Sequence, residues 1–288
     1  MKDLYRYEKL TWHEVNEAVE AAKVAVIPVG TIEDHGPHLP LDTDDVIATA
    51  VVLETAKLIP EDLVVLPTVP FGYSPHHIDF PGPITIPTPR LSHDWDVFVR
   101  YMHNVACSLA HHGFKKILMV NAHGSNRPCL DLAGRLTILD YPDVQCGYIS
   151  WWELETVQET FDRVLDSALT DHACEIETSV YLAVQPEMVY MDRAEADISY
   201  DFSPHIWSNM RGTKPGPEFR NPIHMNDFWS MDTKNGVWGD PTKATARKGR
   251  AILEAAAKEL AEVVLELKNR HVRKRVPHQA GRSVDSTP

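Results

Sequence analysis

Short apolar runs alternate with segments of helical period along most of this sequence, and that alternation limits the folds it can adopt. The run "AKVAVIPVG" (residues 22–30) is rich in β-branched side chains and ends in glycine, which is typical of a strand buried on both faces. Residues 45–59 then carry apolar side chains at helical spacing. This order predicts an α/β fold in three layers, with a mainly parallel central sheet and helices on both faces.

The strand–helix order continues along the rest of the chain. We predict further strands within residues 62–72, 115–124 and 144–152, and helices over 92–113, 127–139, 157–169, 176–183 and 241–270. Residues 192–240 break the pattern with proline, glycine, asparagine and tryptophan, which favours an ordered pocket or lid segment. The sequence therefore predicts a single domain over residues 1–288, with a flexible tail in the last dozen residues.

The charge and the cysteines narrow the class of partner. The chain has 28 basic and 41 acidic residues and a formal net charge of −13, so we expect it to bind neither nucleic acid nor an anionic membrane. Its four cysteines show no CxxC spacing, and no apolar signal segment stands at the start of the sequence. We predict a reduced, cytoplasmic protein with a small-molecule partner.

Three loop segments carry side chains of the kind that hold divalent metals. They are "EDHGPHLPLDTDD" (residues 33–45) after the first strand, "VNAHGSN" (120–126) after a later strand, and "DHACEIETS" (171–179) at a helix start. Ligands collect at the carboxyl ends of parallel strands because the connecting loops converge there. Mixed histidine and carboxylate ligands suit Zn²⁺ or Mn²⁺, and two neighbouring ions would activate a shared water as hydroxide. The first segment offers Glu33, His35, His38, Asp42, Asp44 and Asp45, the second offers His123, and the third offers His172 and Glu177.

Simpler explanations stay open at this point. An acidic cluster in so acidic a chain is by default a solvated turn, and the tryptophans could belong to the core as well as to a substrate site. A protein nucleophile is disfavoured, because Ser125 lacks a G-x-S-x-G context and Cys174 has only His172 nearby. The other histidines considered are expected on the surface or in packing: His38, His76, His77, His93, His103, His111 and His112.

Five motifs, in this order, resemble the creatininase (creatinine amidohydrolase) family. They are "PVGTIEDHGPHLPLDTD", "HHIDFPGPITI", "VNAHGSN", "HACEIETS" and "GVWGDPTKATARKGR", and together they span about residues 26–250. The resemblance implies an α/β fold with a mainly parallel sheet and a centre of two divalent ions, Zn²⁺ or Mn²⁺. It also implies a homo-oligomer, often a hexamer.

The resemblance further implies a role for each matching residue. It places one ion between Glu33, Asp44 and His123, and the other between His35, Asp44 and Glu177. Asp44 would then bridge the two ions, and His172 matches the histidine that transfers a proton in the family.

Three positions depart from the family pattern. Ser125 stands where true creatininases carry a glutamate, Cys174 replaces the glycine of "HAG", and Pro83 replaces the threonine of "FPGT". None of these changes removes a ligand, so we expect the chemistry to be retained and the pocket to differ. The sequence is therefore placed in the wider, non-creatinine branch of the family.

These expectations combine into a metal-dependent hydrolase. A hydroxide would attack the carbonyl of a small cyclic substrate, such as a creatinine-like amide or a lactam. The alternatives are a hydrolase that cleaves the ring of an oxidised (diketo) inositol, and a metal-stabilised binding subunit without turnover. Substrate contact is predicted for Trp151, Trp152, His205, Trp207 and Trp229.

Overall fold

Four parallel strands form the centre of the computed structural model, which describes residues 5–87, 94, 96–276 and 278. They are β1 (Val24–Val29), β2 (Leu63–Val65), β3 (Lys116–Asn121) and β4 (Gln145–Ser150). Their order in the sheet is β2-β1-β3-β4, and each neighbouring pair is parallel. The predicted parallel sheet is confirmed.

Helices cover both faces of this sheet. They are α1 (Trp12–Glu20), α2 (Thr43–Leu58), α3 (Val97–His111), α4 (Arg127–Asp140), α5 (Glu155–Val164), α6 (Glu175–Val184), α7 (Trp229–Asp232) and α8 (Ala246–Asn269). Side chains alternate along a strand, so Val24 and Val26 of β1 pack with α2, α5, α6 and α8, whereas Ala25 and Ile27 pack with α1, α3 and α4. The predicted three-layer arrangement is confirmed.

Two predicted elements are shorter than the sequence pattern indicates. The strand expected within residues 62–72 ends at Val65, because Pro67 and Pro70 have no N–H to give to a ladder. The helix expected over 157–169 ends at Val164, because the N–H groups of Asp166 and Ser167 donate to the Glu175 carboxylate instead of to the preceding turn. Helix α1, which was not predicted from the sequence, begins with a capping box between Thr11 and Glu14.

Some predictions fall on residues outside the description. Among them are residues 92, 93 and 95, at the start of the helix expected over 92–113, and residue 93 is the candidate His93. The predicted flexible tail also lies there, apart from residue 278. Within the described residues, no helix is both long and apolar enough to cross a membrane.

The sheet register brings two of the candidate loops together. Val29 at the end of β1 lies beside Asn121 at the end of β3, so the loops that follow both strands start at the same edge. Helix α6 reaches this edge by packing closely on α8, where a Cβ at Gly249 would lie 1.8 Å from the Ser179 carbonyl oxygen. This contact requires glycine and fixes α6 against α8.

Candidate metal centre

The loop after β1 folds back on itself and buries three candidate ligands. Glu33, His35 and Asp44 are each at most 1% exposed, and Asp44 lies in the first turn of α2. Gly36, at φ +66°, makes the turn between them, and a Cβ there would lie 2.6 Å from the Val237 side chain. The local sequence thus carries both the ligands and the turn that returns Asp44 to the site.

Two further candidate ligands meet this loop from elsewhere in the chain. His123 follows β3, and its Nδ1 lies 3.2 Å from Glu33 Oε1. Glu177 lies in the first turn of α6, and its Oε1 is 4.0 Å from His35 Nε2. Ala173, at φ 48°, turns its N–H towards Glu177 Oε2, to which it donates at 2.6 Å. We call Glu33, His35, Asp44, His123 and Glu177 the metal cluster.

The two oxygens of Asp44 face different members of the metal cluster. Oδ1 lies 3.3 Å from His35 Nε2, and Oδ2 lies 3.3 Å from His123 Nδ1. Ligand atoms about 2.0–2.1 Å from a tetrahedral ion lie roughly 3.3–3.4 Å apart, so these separations are those of ligands around two ions. The Asp44 carboxylate thus lies between His35 and His123.

The metal cluster leaves buried polar atoms without hydrogen bonds. Glu33 Oε1, Asp44 Oδ2 and His35 Nε2 are shielded from solvent and have no hydrogen-bond partner. The opposite atoms of two of these side chains are fixed, because Ser74 Oγ donates to Glu33 Oε2 and His35 Nδ1 donates to the Glu33 carbonyl at 3.4 Å. Buried atoms of this kind normally have partners, and their free lone pairs fit divalent cations.

The buried carboxylates of the metal cluster also favour positive charge beside them. Burial lowers the pKa of His35, but the carboxylates of Asp44, Glu177 and Glu33 together outweigh burial and raise this pKa to about 10. Burial also lowers the pKa of His123, but the carboxylates of Glu33 and Asp44 together outweigh burial and raise this pKa to about 10. Burial raises the pKa of Glu177 to about 8. These pKa values favour protonated histidines without metal, and two divalent cations would displace those protons, free the nitrogen lone pairs and supply the positive charge instead.

His172 stands at the rim of the metal cluster with a defined tautomer. Its Nε2 donates to the Asp34 carbonyl at 2.7 Å, so Nδ1 carries the lone pair and lies 3.7 Å from Glu33 Oε1. Burial, together with the positive charge of His35, holds the pKa of His172 well below its usual value. A neutral His172 can accept a proton at Nδ1.

Sequence reasoning missed a second histidine at this site. His77, expected in packing or on the surface, lies in a 3₁₀ turn with Nε2 3.7 Å from Glu33 Oε1, and its Nδ1 is hydrogen-bonded to Asp34 Oδ1 at 2.8 Å. Ser74, which precedes this turn, was also missed. His77 belongs to the "HHIDFPG" motif (residues 76–82) and Ser74 lies two residues before it, so the place of this motif among the five was the one available signal.

Of the five predicted substrate residues, Trp229 is the one whose described contacts lie beside the metal cluster. The Trp229 ring stacks on His77 at 5.0 Å and stands edge-on to His172 at 5.0 Å. Trp151 and Trp152 lie in the apolar core instead, where Trp151 contacts Phe161.

The other two predicted residues make contacts within the irregular segment. The Trp207 indole N–H donates to the Arg220 carbonyl at 2.7 Å, and the exposed His205 is hydrogen-bonded to the Asn221 carbonyl. The described contacts therefore associate Trp229 alone with the cluster.

The fold and the site define a three-layer α/β protein with a histidine–carboxylate cluster suited to two metal ions. Residues 8–264 match the Creatininase family model, described as creatinine amidohydrolase. The chain therefore belongs to the creatininase family, and it is a hydrolase of that family.

Relatives within the family carry different names. The mycofactocin precursor peptide peptidase of Mycobacterium tuberculosis (strain ATCC 25618 / H37Rv) is 32% identical over 238 residues, which cover 80% of each chain. The 3-dehydro-scyllo-inosose hydrolase of Thermotoga maritima is 25% identical over 94% of this chain and 86% of its own. A solved creatininase in its Mn form has a TM-score of 0.73 at 23% identity, covering 92% of this chain and 99% of its own, which shows the shared fold.

Proposed function

We propose that this protein is a two-metal amidohydrolase that opens a small cyclic amide. The observation that carries the proposal is the division of the Asp44 carboxylate, whose oxygens lie 3.3 Å from His35 Nε2 and 3.3 Å from His123 Nδ1. Glu33 and His123 would complete one ion site with Asp44, and His35 and Glu177 the other. Zn²⁺ and Mn²⁺ both accept such nitrogen and oxygen ligands.

The protein's own residues would support a carbonyl reaction at this site. Divalent ions held here would supply Lewis acidity towards a carbonyl oxygen and would lower the pKa of a water. His172 would take a proton at Nδ1 and release it to the leaving nitrogen, while the Asp34 carbonyl keeps its ring oriented. This tautomer argues against a binding subunit without turnover, because the five residues of the metal cluster would supply three ligands to each ion without His172.

The wall beside the metal cluster favours a flat, neutral substrate. Trp229 is 8% exposed, and its indole N–H is buried without a partner, so a substrate oxygen or nitrogen could accept from it. Its ring closes the site over His77, whose pKa burial holds well below the usual value. A planar amide matches this combination of an aromatic face and one free donor.

Ring ketone cleavage is the second candidate. The same site could direct attack on the carbonyl of a diketo-inositol, and the Thermotoga maritima relative is named an inosose hydrolase. The mycobacterial relatives are named peptide peptidases, so an acyclic amide belongs in the same test.

One assay panel separates these substrates. Protein purified without added metal is analysed for its metal content, then assayed on creatinine and other cyclic amides, on short peptides and on a diketo-inositol. We expect at least two ions per chain and metal-dependent opening of a cyclic amide. Turnover of the inositol or of peptides alone would replace the proposed substrate, and well under one ion per chain would contradict the metal centre.

We also propose that the chain assembles as a homo-oligomer, with hexamers as the expected form. Light scattering on the purified protein tests this, and a stable monomer would contradict it. Residues such as His205 and Trp207 could then contact substrate across a subunit boundary.

A further inference from the structure

A second group of metal-type side chains lies on the α3–α4 side of the sheet. His103 and Cys107 are four residues apart on α3, so their side chains leave the same face of that helix. Asp140, the last residue of α4, meets them there. The three side chains offer a nitrogen, a sulfur and an oxygen that all lie within 4.8 Å of one another.

This group is separate from the metal cluster. Asp140 precedes β4, which begins at Gln145, so the group lies towards the amino ends of the strands. The metal cluster follows the carboxyl ends of β1 and β3. The two groups share no residue, and they differ in chemistry because only this one contains a sulfur ligand.

The contact between His103 and Asp140 is not a well-formed hydrogen bond. His103 Nε2 lies 2.9 Å from Asp140 Oδ2, yet this nitrogen is shielded from solvent and makes no hydrogen bond of acceptable geometry. A cation placed between the two atoms would use the nitrogen lone pair and the carboxylate together. The separation is shorter than the roughly 3.3–3.4 Å between two ligands of a tetrahedral ion, so a bound ion would move the two side chains apart by about 0.4 Å.

The thiol sets the identity of that ion. Zn²⁺ accepts thiolate, imidazole and carboxylate together, whereas Mg²⁺ and Ca²⁺ select oxygen ligands. Burial and the neighbouring Asp140 carboxylate raise the pKa of Cys107, so binding must displace a proton and should strengthen as pH rises. Asp140 is 58% exposed on its side chain, which leaves the ion open to solvent at a fourth position.

We propose that His103, Cys107 and Asp140 form a third divalent-cation site, selective for Zn²⁺ and its thiophilic analogues, that links α3 to α4. The site is independent of the proposed hydrolase function, because none of its residues belongs to the metal cluster. Occupancy by Zn²⁺ would hold the two helices together and raise the thermal stability of the protein.

Co²⁺ is the probe that reports this site directly. The full chain is stripped of metal and titrated with Co²⁺, and the near-ultraviolet charge-transfer absorption of a thiolate–Co²⁺ bond is recorded. We expect three Co²⁺ per chain and a thiolate band in the wild type. Cys107→Ser should lose the band and one equivalent of Co²⁺ while retaining the two ions of the metal cluster.

Matched variants make the outcome decisive. Cys129→Ser changes a buried thiol on α4 and should keep the band, whereas His103→Ala should weaken Co²⁺ binding at this site at least about tenfold. Retention of the band in Cys107→Ser would overturn the proposal, and so would its absence from the wild type. Zinc-dependent protection of Cys107 from alkylation gives the same answer in the unmutated protein, and equal labelling with and without Zn²⁺ would contradict the site.

Discussion

The metal cluster and the ion-pair network around Lys248 both bury several charged groups, but their polar atoms are used differently. Lys248 Nζ donates to Asp166 at 2.6 Å, to the Lys243 carbonyl at 2.9 Å and to Glu175, so each of its three N–H groups has an acceptor. Glu175 also accepts the N–H groups of Asp166 and Ser167. This network is complete within the protein.

In the metal cluster, by contrast, the protein leaves lone pairs open. Glu33 Oε1, Asp44 Oδ2 and His35 Nε2 are buried without hydrogen bonds, although Ser74 holds the other Glu33 oxygen. The partners of a fully paired buried charge offset its desolvation, whereas a buried charge with unpaired polar atoms is suited to a ligand. The two regions therefore differ in role although both are buried.

Asp44→Asn should give the largest effect, because it removes a carboxylate from the metal cluster. Loss of one anionic oxygen should reduce the metal content by more than one ion per chain. Hydrolysis should fall at least roughly 10³-fold, because Lewis acid catalysis contributes several kcal/mol and about 1.4 kcal/mol corresponds to a factor of ten. Elemental analysis and initial rates measure both.

Asp42→Asn is the control for that change. Asp42 stands two residues earlier and accepts the Tyr181 hydroxyl at 2.9 Å, so its loss should leave the metal content unchanged. Two firmly bound ions in Asp44→Asn would show that Asp44 is not a shared ligand.

His172→Gln should separate proton transfer from metal binding. We expect kcat to fall roughly 10²–10⁴-fold with the metal content unchanged, since positioned general acid–base groups contribute about that much. The exposed His112→Gln serves as the surface control. Loss of metal together with activity would instead make His172 a ligand.

Lys248→Met tests the complete network. Removing one partner leaves Glu175 buried without its cation, so the free energy of unfolding should fall by about 3 kcal/mol, measured by urea denaturation. The metal content of the folded protein should not change. Lys268→Met removes the more exposed pair with Asp62 and should cost less than about 1 kcal/mol. An equal loss in the free energy of unfolding for the two variants would contradict a special role of the Lys248 network.

Trp229→Phe should give the smallest effect and tests whether the unpaired indole N–H beside the metal cluster contacts the substrate. The ring against His77 is retained, but the free indole N–H is lost. We expect KM to rise roughly three- to tenfold with kcat nearly unchanged, which corresponds to one hydrogen bond of about 1 kcal/mol. The core variant Trp151→Phe should leave KM unchanged, and the reverse pattern would place the substrate elsewhere.

The sequence by itself determined the layers and most of the metal cluster. Hydrophobic periodicity is local, so it predicted strands and helices whose alternate side chains face two cores. Because parallel strands end at one edge, ligand-type residues after β1 and β3 could be expected to meet there. The segment order and the resemblance added Glu177 and His172 to the same site.

Only the tertiary structure decided which aromatic and histidine side chains join that site. His77 and Trp229 come from segments distant in sequence and meet through packing, while the similar pair Trp151 and Trp152 lies in the core. Local pattern cannot separate these cases, because a large side chain is buried equally well by a core or by a pocket wall. The same holds for Lys248, whose three acceptors come from separate parts of the chain and are set by how α8 packs on α6.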